Sequence, residues 1–106
     1  MSEAGASGPH APQRVRLQRR AGWRKPPGAV VVARPSRWGN PFRVGVDGDR
    51  AECVRRFRQA LAAGELDVDE AEVRARLAGR DLACWCPLGE PCHADVLLSV
   101  ANGPIG

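Results

Sequence analysis

The sequence predicts a small α/β domain: a sheet of about three strands in the order β-β-α-α-β-α, its last two strands parallel and flanked by helices. Three observations lead there. Residues 29–33 (AVVVA) and 82–86 (LACWC) are short apolar runs of strand type. The segment between them holds two helix patterns, each opened by an aspartate and closed by a glycine. A long helical crossover is what a parallel pair of strands needs, since a tight turn joins only antiparallel ones. A chain of 106 residues has room for one such domain and a single core.

Residues 1–13 are small, polar and proline-containing without apolar periodicity, so they are expected to form a disordered tail before a single domain over 14–103. His10 goes with the tail. Residues 14–20 (RVRLQRR) alternate Val15 and Leu17 with Arg16 and Gln18, the period of a half-buried edge strand. The connection AGWRKPPG is long for a hairpin and leaves this strand's direction open. The continuous run 29–33 has the signature of a strand covered on both faces. Residues 34–42 (RPSRWGNPF) are a loop.

Asp49 then caps a helix, with Glu52 completing a capping box, Cys53, Val54, Phe57, Ala60 and Leu61 on its apolar face, and Gly64 as its stop. Cys53 reads there as a small buried hydrophobe. Asp69 and Glu72 open a second helix with Val73 and Leu77 inward, ended by Gly79. The last helix opens at Pro91 and places Cys92 and His93 in its first turn, where the helix dipole lowers a thiol pKa. Val96, Leu97, Val100 and Ala101 face inward, and Asn102-Gly103 ends it.

Between Arg14 and Val46 there are nine basic residues and no acidic one, while eleven of the twelve acids come at or after Asp47. A cationic first half suits an anionic partner, either a phosphorylated small molecule or nucleic acid. No apolar run approaches the roughly 18 residues of a membrane span, and no secretory segment opens the sequence, so a cytoplasmic protein without a membrane partner is expected. Four cysteines in that setting read as reduced thiols or metal ligands.

If residues 29–33 and 82–86 are parallel neighbours, the loop RPSRWGNPF and the loop PLGEPCH leave the same carboxyl edge, where open α/β sheets bind ligands. Arg34 and Arg37 offer forks for carboxylate or phosphate, Gly39 close backbone approach, Asn40 a donor and an acceptor, and Trp38 a stacking surface. The structural alternatives are that the arginines pair with Asp81 and Asp95, that Trp38 and Phe42 plug the core, and that Asn40 shapes the turn before Pro41. Cys86 or Cys92 is a candidate thiolate nucleophile, His93 its acid or base, and Asp95 a group that orients the imidazole or pairs an arginine.

Cys84, Cys86, Cys92 and His93 also have the right count for tetrahedral zinc, but adjacent helical residues point about 100° apart. The spacing therefore favours free thiols over metal, with Cys84, mid-strand, as plain core.

The motifs RPSRWGNPF and LAGRDLACWCPLGEPCHADVLL, in that order, resemble the small bacterial and phage proteins grouped as domain of unknown function 4326, over roughly residues 15–102. The resemblance implies that Arg34, Trp38, Gly39, Asn40, Pro41, Phe42, Cys84, Trp85, Cys86, Cys92, His93 and Asp95 form the family signature, and it assigns none of them a role. The residues themselves leave three functions open: a pocket for a phosphorylated or nucleotide-like ligand, with enzyme chemistry through the Cys/His pair; a nucleic-acid-binding module using the basic half; and a zinc-stabilised structural adaptor. Oligomeric state is not legible.

Overall fold

The structure, a computed structural model, describes residues 12–103; the expected tail lies outside the described residues up to position 11. Six elements follow one another: β1 (Arg14–Arg16), β2 (Val30–Val31), α1 (Arg50–Ala63), α2 (Glu70–Leu77), β3 (Leu82–Cys84) and α3 (His93–Asn102). The strands form one sheet in the order β1-β3-β2, with both outer strands parallel to β3. Val30 lies opposite Leu82 as the crossover argument predicts, and β1, whose direction the sequence left open, sets Arg14 opposite Leu82. The ladders continue past the strand ends. Leu17 N–H donates to Cys84 O at 2.8 Å, and Val32 N–H donates to Ala83 O at 2.8 Å.

Sheet order corrects the reading of residues 29–33 as a strand covered on both faces. β2 has two residues, lies at an edge, and leaves Val31 37% exposed. The doubly covered strand is β3, where Leu82, Ala83 and Cys84 are all buried. A β-branched run reports a fit to the pleat and not a place in the sheet; centrality depends on which strand the other two choose to pair with. β3 is also shorter than the apolar run 82–86, because the chain turns out of the sheet after Cys84.

Asp49 accepts the Glu52 N–H at 2.8 Å to cap α1, and Gly64 closes the helix with φ 74°, a left-handed backbone open to glycine. Asp69 caps α2 through the Glu72 N–H in the same way. α1 and α2 both pack on α3, which in turn lies against β1 and β3. Val96 and Leu97 of α3 are fully buried, and two such side chains contribute about 3–6 kcal/mol by leaving water. No helix among the described residues is long and apolar enough to cross a membrane.

With three parallel strands, every carboxyl end lies at one edge of the sheet. The segment after β2 and the segment after β3 both leave from there, and the site is built between them.

Candidate functional site

The two sequence motifs meet through His93. Its Nε2 lies 2.8 Å from the carbonyl oxygen of Val32, 61 residues earlier, at the end of β2. A carbonyl oxygen only accepts, so Nε2 carries the proton and Nδ1 holds a lone pair. Nδ1 lies 3.7 Å from Cys92 Sγ. Burial holds the imidazole pKa below its ordinary value against the raising effect of the Val32 bond, so the ring is neutral at pH 7. Phe57 of α1 closes the other side with its ring edge-on, centroids 5.2 Å apart. The imidazole is thus oriented by a backbone carbonyl and an aromatic neighbour, not by Asp95.

Cys92 is not in the first turn of α3, as the position of Pro91 suggests, but is its N-cap, with extended backbone at φ −149°. Its Sγ accepts the Ala94 N–H at 3.5 Å, and Asp95 closes a capping box by accepting the Cys92 N–H at 3.3 Å. The change matters for the neighbouring histidine. Because Cys92 lies outside the helix, the 100° divergence of successive helical side chains does not apply, and Cys92 and His93 point into the same space.

Cys84 is buried, as a mid-strand residue should be, yet it is part of a cluster. Its Sγ is 3.9 Å from that of Cys86, and Cys84, Cys92 and His93 each present a ligand atom within 4.8 Å of the others. Hydrogen bonds from Cys86 and Cys92 pull the Cys84 thiol far below the ordinary range, while the same bonds push Cys92 and Cys86 up. This reverses the lowering that the helix dipole predicts for Cys92. The shifts run in opposite directions because adjacent thiolates repel. Cys53, buried on α1 as predicted, has its pKa raised by burial.

This cluster forms part of the wall of a cleft of about 530 Å³ that also takes in Arg34, Asn40, Phe42, Arg43, Arg50 and Trp85. Arg50 Nη1 lies 3.4 Å from Cys86 Sγ. Arg34 Nη1 donates to Asn40 O at 2.7 Å, which tightens the loop while its guanidinium stays at the cleft. Asn40 is buried and uses both ends of its amide: Nδ2 donates to Cys53 O at 3.2 Å and Oδ1 accepts the Phe42 N–H at 2.9 Å. It shapes the turn and ties the loop to α1.

Of the nine positions singled out for chemistry, Arg34, Asn40, Cys86, Cys92 and His93 come together here with Cys84. Arg37, Trp38, Gly39 and Asp95 stand elsewhere. Arg37 clasps Glu72 at 2.7 and 2.8 Å beside a second recess that Gly39 also lines. Trp38 is 8% exposed and belongs to the core. Gly39 is required by packing: a Cβ there would lie 2.8 Å from Arg34 Cγ and 3.1 Å from the Arg34 backbone.

Asp95 pairs with Arg14 at 3.2 Å. Arg14, counted in sequence among the surface cations, is instead a strut whose side chain is 8% exposed; it also donates to Pro87 O at 3.1 Å and Leu88 O at 2.5 Å. Sequence reasoning also passed over Arg43 and Arg50. Their shared signal, basic residues flanking the aspartate-rich cap of α1, has no meaning until the helix is placed. Trp85, which lines the cleft with Phe42, is 42% exposed and has the Arg19 guanidinium 4.6 Å from its centroid.

Residues 15–103 match the family model described as Domain of unknown function (DUF4326). The chain belongs to that family. No curated protein and no solved structure was found to match it. Within this DUF4326 domain the matched span contains both motifs and all six elements apart from the first residue of β1.

Proposed function

We propose that this DUF4326 domain binds a phosphorylated, ring-bearing small molecule of the nucleotide class in the cleft at the carboxyl edge of its sheet. The observation that carries the reading is the charge of the lining: Arg34, Arg43 and Arg50 contribute guanidinium groups, and no Asp or Glu side chain lines the cleft. Arginine forks match phosphate oxygens two at a time and stay charged at every relevant pH. Arg43 has no side-chain partner among the described residues, so its fork is free to engage a ligand.

The cleft is also apolar in the way a ring needs. Phe42, Val44, Val46 and Trp85 border it, and Val44 and Val46 are exposed. Its volume of about 530 Å³ falls in the range of small-molecule sites. The reading is of binding. Cys92 is 1% and His93 5% exposed, and the Nε2–H of His93 is committed to Val32. Nucleic acid is the less favoured partner, because Arg14 and Arg37 of the basic half are already engaged with Asp95 and Glu72.

Titration calorimetry with a nucleoside monophosphate, the bare nucleoside and inorganic phosphate tests this. The expected result is saturable binding of the monophosphate, weaker binding of phosphate and none of the nucleoside. Arg43→Ala should weaken the monophosphate about tenfold to a hundredfold, the worth of one charge-assisted contact. Absence of heat and of thermal shift with any phosphorylated probe at millimolar concentration overturns the reading. Tighter binding of an oligonucleotide, lost steeply on adding salt, would overturn it in favour of nucleic acid.

A further inference from the structure

We propose that Cys84, Cys86, Cys92 and His93 hold one zinc ion in a closed four-ligand site beneath the arginine-lined cleft. Zn–S bonds of about 2.3 Å and a Zn–N bond of about 2.0–2.1 Å in a tetrahedron put the edges near 3.8 Å for S···S and near 3.6 Å for S···N. The observed edges are 3.9 Å for Cys84 Sγ to Cys86 Sγ and 3.7 Å for Cys92 Sγ to His93 Nδ1. The ligand atoms of Cys84, Cys92 and His93 all fall within 4.8 Å of one another.

A zinc-bound histidine characteristically donates its other ring N–H to a carbonyl or carboxylate, which presents the free nitrogen to the metal. His93 does so toward Val32 at 2.8 Å, leaving Nδ1 as the ligand atom. The sulfurs meet donors as thiolates should: Ala94 N–H at Cys92 and the Arg50 guanidinium at Cys86. Zinc with three thiolates and a neutral imidazole carries one negative charge, and Arg50, shared with Glu90 at 3.8 Å, lies beside it.

The three sulfurs are also poor partners for one another. Three thiols packed together in a largely buried wall leave poor S–H donors in place of strong bonds. Zinc resolves this: the ion enters, the thiol protons leave to solvent, and three Zn–S bonds replace three S–H bonds. A disulfide would consume only two of the three and would need the sulfurs to close to about 2.05 Å. With all four positions filled by protein, the ion has no open site for a substrate and acts as a staple between β3, the loop 85–91 and α3. The inference stands apart from the identity of the cleft's ligand.

The test is metal content and geometry in the full chain, expressed with zinc and purified without chelator. About one equivalent of zinc per chain is expected, falling below about a tenth in Cys84→Ser, Cys92→Ser and His93→Gln, while Cys53→Ser keeps its full complement. Because the ligand variants can fail to fold, cobalt is titrated into metal-free wild type as a second measurement. Intense visible bands of tetrahedral, thiolate-bound cobalt, displaced by one equivalent of zinc, are expected. Zinc below about a tenth of an equivalent together with only the weak spectrum of octahedral cobalt would overturn the site. So would full zinc retention by Cys84→Ser and Cys92→Ser, or a wild-type mass lower by two hydrogens from a disulfide.

Discussion

Replacing Arg14 by methionine keeps most of the aliphatic stem and removes the guanidinium that ties the loop after β3 to β1. Three bonds are lost, to Asp95 Oδ2, Pro87 O and Leu88 O. Their weights differ. Asp95 is 53% exposed, so solvent screens the ion pair and it contributes at most about 1 kcal/mol. The two carbonyl bonds come from a charged donor that is itself shielded, but the freed carbonyls can reach water, so about 0.5–1 kcal/mol each is reasonable. The total is about 2 kcal/mol, or roughly 8–16 °C in Tm for a domain of this size. Asp95→Asn keeps an acceptor for the Cys92 N–H and loses only the charge, so it should cost about half as much. Urea denaturation followed by tryptophan fluorescence measures both. If Asp95→Asn is as costly as Arg14→Met, or if Arg14→Met costs under about 0.5 kcal/mol, the guanidinium is not the strut described here.

Two further outcomes follow from the loop after β2. Gly39→Ala places a methyl group against the Arg34 backbone at 3.1 Å; the side chain can swing aside but the backbone cannot, and a loss of about 1–3 kcal/mol is expected in thermal unfolding. Stability equal to wild type would mean the loop has slack. Arg37 donates to Glu72 and holds its carboxyl below the ordinary carboxylate range, chiefly through that hydrogen bond. A carboxyl depressed in the folded state adds stability above its unfolded pKa and loses it as pH falls through the folded value. In Arg37→Gln the Glu72 titration, followed by carboxyl carbon NMR, should therefore move up toward the ordinary range, and an unchanged midpoint would count against the pair.

Much of the architecture was readable residue by residue. Asp49 and Asp69 cap helices because a short carboxylate reaches backbone N–H groups three residues on, whatever lies around it. Gly64 stops α1 because it alone is unstrained at φ 74°. The parallel sense of β2 and β3 came from the length of what joins them. The candidate site was half legible. Leaving the same edge of the sheet puts RPSRWGNPF and PLGEPCH at one place, and residues of both line one cleft. Which members face it was not legible. Trp38 and Trp85 are the same residue type in similar motifs, yet Trp38 fills the core and Trp85 borders the cleft.

The amino-acid sequence by itself determined what depends on neighbours a few residues away: caps, stops, the alternation of β1, and the set of cysteines and histidine able to bind something. The tertiary structure alone decided what depends on distant partners. β3 became the central strand because both others pair with it. Arg14 became a buried strut because Asp95 and the loop after β3 arrive beside it. His93 acquired a fixed tautomer because the end of β2 offers a carbonyl at hydrogen-bond distance. A side chain's type sets what bonds it can make, and only the packing of remote segments sets which of them it does make.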